Sequence, residues 1–179
     1  ASLSSFANYS FFMGMNEHNL EEVLRVDNRW VCGISDDGLY FNNEKGSMCN
    51  NLSFLEQLFS RTSSFVSLHC EDDYIIQRNT DYYTKRFGEE IPFEFHSVIR
   101  SEEACLKATT EVLKLARKLN VRFHLLHVST LAEANLFEGS LPVEQKRITA
   151  EVCVHHLWFC DEDYKSKGAQ IKWNPAIKT

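Results

Sequence analysis

Apolar and polar positions alternate along the chain in two periods. Short apolar runs that end in a polar residue recur, and between them apolar residues fall at helical spacing. Phe6–Met13 is aromatic-rich and predicts a strand ended by Gly14. Asn19 then predicts a cap on a helix from Leu20 to about Val26, with Glu21 and Glu22 in its first turn. Trp30–Ile34 predicts a second strand, running into Ser35-Asp36-Asp37-Gly38. The stretch 39–49 reads as loop, and Leu52, Leu55, Leu58 and Phe59 repeat at helical spacing.

Phe65–Leu68 predicts a third strand that ends at His69. The polar stretch from there to about Ser97 reads as a long irregular connection of the kind that forms lids or substrate loops. Ser101-Glu102-Glu103 opens a helix with the apolar stripe Ala104, Ala108, Val112, Leu115 and Ala116, and Arg117-Lys118 close it. Val121–Leu126 predicts a fourth strand ending at His127, and Thr130 caps a helix to about Phe137. Ile148–Val154 predicts a fifth strand ending at His155-His156, and Asp161–Tyr164 predicts one helical turn. Strands alternating with helices imply a parallel sheet with right-handed crossovers. No G-x-G-x-x-G or P-loop occurs, so a nucleotide-binding doubly wound sheet has little support.

Composition narrows the class. The 179 residues are 44% hydrophobic and 25% charged, with a net charge of −6, which argues against nucleic acid and against an anionic membrane as main partner. No apolar run nears the roughly 20 residues that span a bilayer. The N-terminus, Ala1-Ser2-Leu3-Ser4-Ser5, has no basic-then-apolar leader. The six cysteines form no C-x-x-C pair, and several sit in apolar runs, which suits reduced thiols in a cytoplasmic protein.

The chemistry gathers at the strand ends: Asp36-Asp37, His69, His127, His155-His156 and, just beyond, Asn174. One such end is unremarkable. Asp36-Asp37-Gly38 is also a good turn sequence, and a single strand-end histidine is more often a hydrogen-bonded core residue. Several polar ends in register are what the catalytic rim of a β/α barrel presents. His69 and His127, on consecutive strands, could place two neutral imidazoles on one metal. A carboxylate can bridge two such ions, and a two-metal site serves hydrolysis. His124, of opposite parity to Phe123 and Leu125, reads as structural. On a strand His155 and His156 face opposite ways, so at most one meets the site, and His156 is taken as the substrate-facing candidate. Glu71 and Asp72 read as either imidazole-orienting partners or solvated loop charges, the latter favoured for Asp72.

In order and approximate spacing, His69-Cys70-Glu71-Asp72, His127-Val128-Ser129-Thr130, Thr149-Ala150-Glu151-Val152 with His155-His156-Leu157, and Asn174-Pro175 resemble dihydroorotase of the amidohydrolase superfamily. The resemblance implies an α/β fold, part of a metal-dependent (β/α)8 barrel. It implies reversible interconversion of N-carbamoyl-L-aspartate and L-dihydroorotate in pyrimidine synthesis, by metal-activated hydroxide at the ring amide. It further implies a binuclear Zn2+ site in which His69 and His127 bind one ion. Asn174 would contact substrate, and Asp36 would match the bridging carboxylate of one branch of the family. The carboxylated lysine of other branches fails here, because Gly33-Ile34 is followed by Ser35.

Two family motifs are absent from these residues: the first-strand His-x-His-x-Arg, and the late Asp-His-Ala-Pro-His whose Asp ligates metal and moves protons. The expectation is therefore residues 1–179 as one partial barrel domain, strands three to seven of eight, inactive by itself. Two open sheet edges would invite association, for instance as a homodimer. A hydantoinase or allantoinase shares the same logic, and a non-catalytic dihydroorotase-like scaffold is the reading from another class.

Overall fold

The computed structural model describes residues 4–37 and 47–179. Five short strands form one parallel sheet: β1 (Phe12–Gly14), β2 (Gly33–Ser35), β3 (Val66–Leu68), β4 (Phe123–Leu125) and β5 (Ile148–Ala150). Their order in the sheet is their order in the chain. A doubly wound sheet reverses its strand order at a switch point, whereas a barrel adds each strand beside the last. The connections carry α1 (Leu20–Val23), α2 (Leu52–Arg61), α3 (Asp73–Phe87), α4 (His96–Ile99), α5 (Glu102–Lys118) and α6 (Leu131–Ala134). Beyond β5 come α7 (Val154–Trp158) and α8 (Tyr164–Lys167).

Register sorts the two faces of the sheet. Met13, Ile34, Val66, Phe123 and Ile148 stand abreast, and the next row is Gly14, Ser35, Ser67, His124 and Thr149. The apolar row joins one buried cluster with Leu55 and Leu58 of α2 and Val112 and Ala116 of α5. Successive side chains on a strand point to opposite faces. The helices therefore cover the apolar row, and the row of small and polar side chains faces the other way. His124 belongs to that second row, where its Nδ1 lies 2.8 Å from Thr149 Oγ1, in the structural role its parity suggests.

The caps explain where the long helices start. Asn51 accepts from the Phe54 N–H at α2, and Ser101 accepts from the Ala104 N–H at α5. On α5, Ala104, Ala108, Val112 and Ala116 are buried as the stripe predicts.

Several expectations change. The aromatic run does not make a strand over 6–13: β1 spans only Phe12–Gly14, Gly14 lies inside it, and Phe6 is fully exposed. β2 begins at Gly33, leaving Trp30 exposed. The connection after His69 is not irregular, because residues 73–87 form the helix α3. Its core side buries only Ile75, so apolar periodicity is nearly silent, and Asp72 starts the helix by accepting from the Ile75 N–H. Asp72 is accordingly buried, and Lys107 Nζ sits 2.7 Å from it, so it is no solvated loop charge. His155 and His156 lie on helix α7, not at the end of a strand, so strand parity does not sort them. Of the stretch read as loop, residues 39–46 lie outside the described residues, as do 1–3 of the N-terminus, and Met48–Asn50 forms a 3-10 turn. The six cysteines are free thiols, and no described helix is long and apolar enough to cross a membrane.

Candidate functional site

The site begins where β2 and β3 end. Ser67 and His69 share a face by alternation, and His69 is almost wholly buried. Asp36, one residue past β2, reaches it across the sheet: Oδ1 lies 2.8 Å from His69 Nδ1 and 3.1 Å from the His69 backbone N–H. The other oxygen of Asp36 accepts from the Ser47 hydroxyl and the Met48 N–H, both at 3.2 Å. With Nδ1 held by the carboxylate, His69 turns Nε2 toward Asp37 Oδ1, 3.3 Å away. Burial disfavours protonation of His69, but the hydrogen bond and charge of Asp36, with Asp37 and Glu71 nearby, outweigh it and raise the pKa above the ordinary value.

His127 arrives from β4 by a different route. Strict alternation would point it the way of Phe123 and Leu125, toward the helices. Its own backbone is left-handed, with φ 35°, which breaks the alternation as the strand ends. Its ring centre lies 4.8 Å from that of His69, with the planes tilted by 49°. Its Nδ1 is buried without a hydrogen-bond partner. Burial, and then the neighbouring His69, push its pKa down to about 4, so it is neutral at pH 7.

A carboxylate holding the δ nitrogen of one histidine, beside a second histidine with a bare buried nitrogen, is a donor arrangement that fits a divalent cation. Around it, Glu71 is buried and ion-paired with Arg100 through Arg100 Nε at 3.0 Å from Oε1, and through a second contact to Oε2. Glu71 therefore serves the arginine, where an imidazole-orienting role was one expectation. Lys178 is also buried, its Nζ 2.9 Å from Ser129 Oγ and 3.0 Å from the Ala176 carbonyl.

His69, His127 and Asp36 are thus brought together. His156 lies close enough for its charge to bear on His127, and its Nε2 is 3.0 Å from the Pro175 carbonyl oxygen. Asn174, exposed and followed by a cis peptide bond to Pro175, lines a cavity of about 340 Å³ with His96, Arg100 and Lys172. The wall of that cavity includes neither His69 nor His127. Sequence reasoning gave Asp37 no role of its own and passed over Arg100 and Lys178. Asp37 was visible as the second acid of its pair, whereas nothing local marks Arg100 or Lys178 as buried.

No family model matches the chain. It is 28% identical over 140 residues to the dihydroorotase of Methanosphaera stadtmanae, covering 78% of this chain and 30% of that protein. It is 24% identical over 174 residues to the dihydroorotase of Methanosarcina acetivorans, covering 92% of this chain and 36% of the relative. The chain thus spans about a third of the length of these relatives. Among solved structures, the L-hydantoinase (dihydropyrimidinase) of Arthrobacter aurescens superposes with a TM-score of 0.77 at 18% identity, over 95% of this chain and 38% of that one. A D-hydantoinase structure gives 0.69, also at 18% identity, over 92% and 36%. By sequence the chain is similar to dihydroorotases over most of its length, and its fold is that of part of a β/α barrel like those of the hydantoinase structures.

Proposed function

We propose that this chain is the central part of a metal-dependent cyclic amidohydrolase, and that dihydroorotate and N-carbamoyl-L-aspartate are its substrate pair. The observation that carries this reading is the meeting of His69 and His127, 4.8 Å apart at the ends of neighbouring parallel strands. In it, His69 and His127 hold the metal, taken as zinc, and Asp36 fixes the His69 ring through Nδ1. That hydrogen bond gives Asp36 an orienting role in place of the bridging one implied by the resemblance. Zinc bound there supplies Lewis-acid activation of water and of an amide carbonyl. Lys172 and Asn174 line the neighbouring cavity together with Glu89 and with Arg100, which is already paired to Glu71, and Lys172 suits a substrate carboxylate. His156 faces the same substrate from α7. The His-x-His-x-Arg and Asp-His-Ala-Pro-His segments are not in these residues, so the isolated chain is proposed to be inactive.

The test is side-by-side turnover of dihydroorotate, hydantoin and allantoin by the whole protein that contains this chain, with His69→Asn and His127→Asn. Preference for dihydroorotate, falling by roughly a hundredfold or more in either variant, supports the reading. Preference for hydantoin or allantoin moves it to those hydrolases. No turnover and no bound metal leaves the non-catalytic scaffold.

A further inference from the structure

A second group of donors converges on α7. Cys153, His155 and His156 each bring a ligand atom, and these atoms all lie within 4.8 Å of one another, the one such trio among the described residues. Neighbours have already set the two rings. The Pro175 carbonyl can only accept, so His156 Nε2, 3.0 Å away, carries the proton and Nδ1 keeps its lone pair. That Nδ1 is buried and has no hydrogen-bond partner. A buried acceptor left unmet is unfavourable, and a purely structural role for His156 leaves this unexplained. One ring nitrogen donating to a backbone carbonyl while the other stays bare is how ligating histidines are oriented. His155 is fixed differently, stacked on Trp173 with ring centres 4.4 Å apart and planes 13° from parallel. Cys153 occupies the position before α7 but makes no capping hydrogen bond, so its sulfur is not committed to the helix.

We propose that Cys153, His155 and His156 form a metal site of their own, taking one zinc-class divalent ion through a thiolate and two imidazoles, with a fourth position open. One soft sulfur and two borderline nitrogens select zinc or cobalt over calcium or magnesium. Tetrahedral ligands at zinc distances lie about 3.3–3.8 Å apart, so the trio draws together by up to about 1 Å on binding. On binding, the Cys153 S–H bond breaks, a sulfur–metal bond forms and the proton leaves to solvent. This site shares no ligand with His69 and His127, but it takes His156 as a metal ligand in place of the substrate-facing role given to it above.

The experiment adds Co2+ to the metal-free full chain and records its absorption. The expected result is a near-ultraviolet thiolate-to-cobalt band with tetrahedral visible bands, the thiolate band accounting for one cobalt per chain besides any held by His69 and His127. Cys153→Ser, or Cys153→Ala if serine disturbs folding, abolishes the thiolate band. His155→Phe, which keeps the stack on Trp173, weakens cobalt binding at least tenfold. His69→Asn leaves the band in place. Absence of the band in the unaltered chain overturns the site. So does a band that survives loss of Cys153, or one that disappears in His69→Asn. An Nδ1 reserved for substrate gives the first of these outcomes.

Discussion

Asp36 meets His69 twice through one oxygen, at 2.8 Å from the ring Nδ1 and at 3.1 Å from the backbone N–H. The carboxylate thus sets both the ring and the chain that carries it, while its second oxygen ties down Ser47 and Met48. Asp36→Asn keeps the shape but presents a donor to at least one group that needs an acceptor. We expect it to lower stability by about 1–3 kcal/mol in urea unfolding. In the whole protein we expect zinc affinity to fall roughly 10–100-fold, the usual effect of removing a partner that orients a ligating histidine. Unchanged affinity in a folded variant would remove the orienting role. A loss well beyond a hundredfold would return Asp36 to direct ligation.

Gly33 opens β2 against Phe65, the residue before β3. A Cβ there would stand 2.4 Å from the Phe65 carbonyl oxygen, which also accepts from the Ile34 N–H at 2.8 Å. The obstacle is backbone, so no rotamer relieves it. Gly33→Ala should cost about 1–3 kcal/mol as the two strands are forced apart. Gly14→Ala, on the neighbouring strand with nothing within 4 Å, should cost far less. Equal denaturation midpoints for the two variants would sink the argument.

The sequence made some of this legible and concealed the rest for identifiable reasons. His69 could be placed because an apolar run ends on it, and α5 because Ser101 caps it and four of its five stripe residues are buried, Leu115 being only partly so. The helix α3 was hidden because it buries a single residue, Ile75, leaving only its end signals, the Asp72 cap and Lys85-Arg86 before Gly88. His127 is the subtler case. Its presence at the site was foreseen, but the left-handed backbone that turns it there is written in no pattern around it. Partners distant in the chain, such as Lys107 for Asp72, are set by how α5 packs on α3 and have no local mark.

Asp73 opens α3 beside two other acids. Burial, reinforced by Glu71 and Asp72 and opposed by Arg100, pushes its pKa up from 3.8 to about 6. A carboxyl whose folded pKa is raised binds its proton more tightly in the folded state. Its contribution is therefore full below about pH 4 and is lost as the pH rises through about 6. Asp73→Asn cannot titrate and should flatten the stability profile between those limits by about 1–2 kcal/mol, after allowance for its partial exposure. Its amide can still pair with Asn50, whose Nδ2 now lies 2.8 Å from Asp73 Oδ2. Parallel profiles for variant and parent, measured by urea unfolding at several pH values, would show that Asp73 carries no such burden.

Glu71, buried, and Arg100, partly buried, form an ion pair near the same corner. Glu71 is 1% exposed, and Arg100 reaches it through two contacts. Such a pair gains little over apolar residues of the same size, because both charges give up water, but breaking it from one side leaves a charge in a poor solvent. Arg100→Met should therefore cost about 3–5 kcal/mol at neutral pH. The double variant Glu71→Leu with Arg100→Met should recover most of that loss, since no ion remains to be solvated. The two single costs and the double cost then form a cycle whose coupling isolates the pair. If Arg100→Met alone unfolds no more easily than the parent, Glu71 finds other solvation.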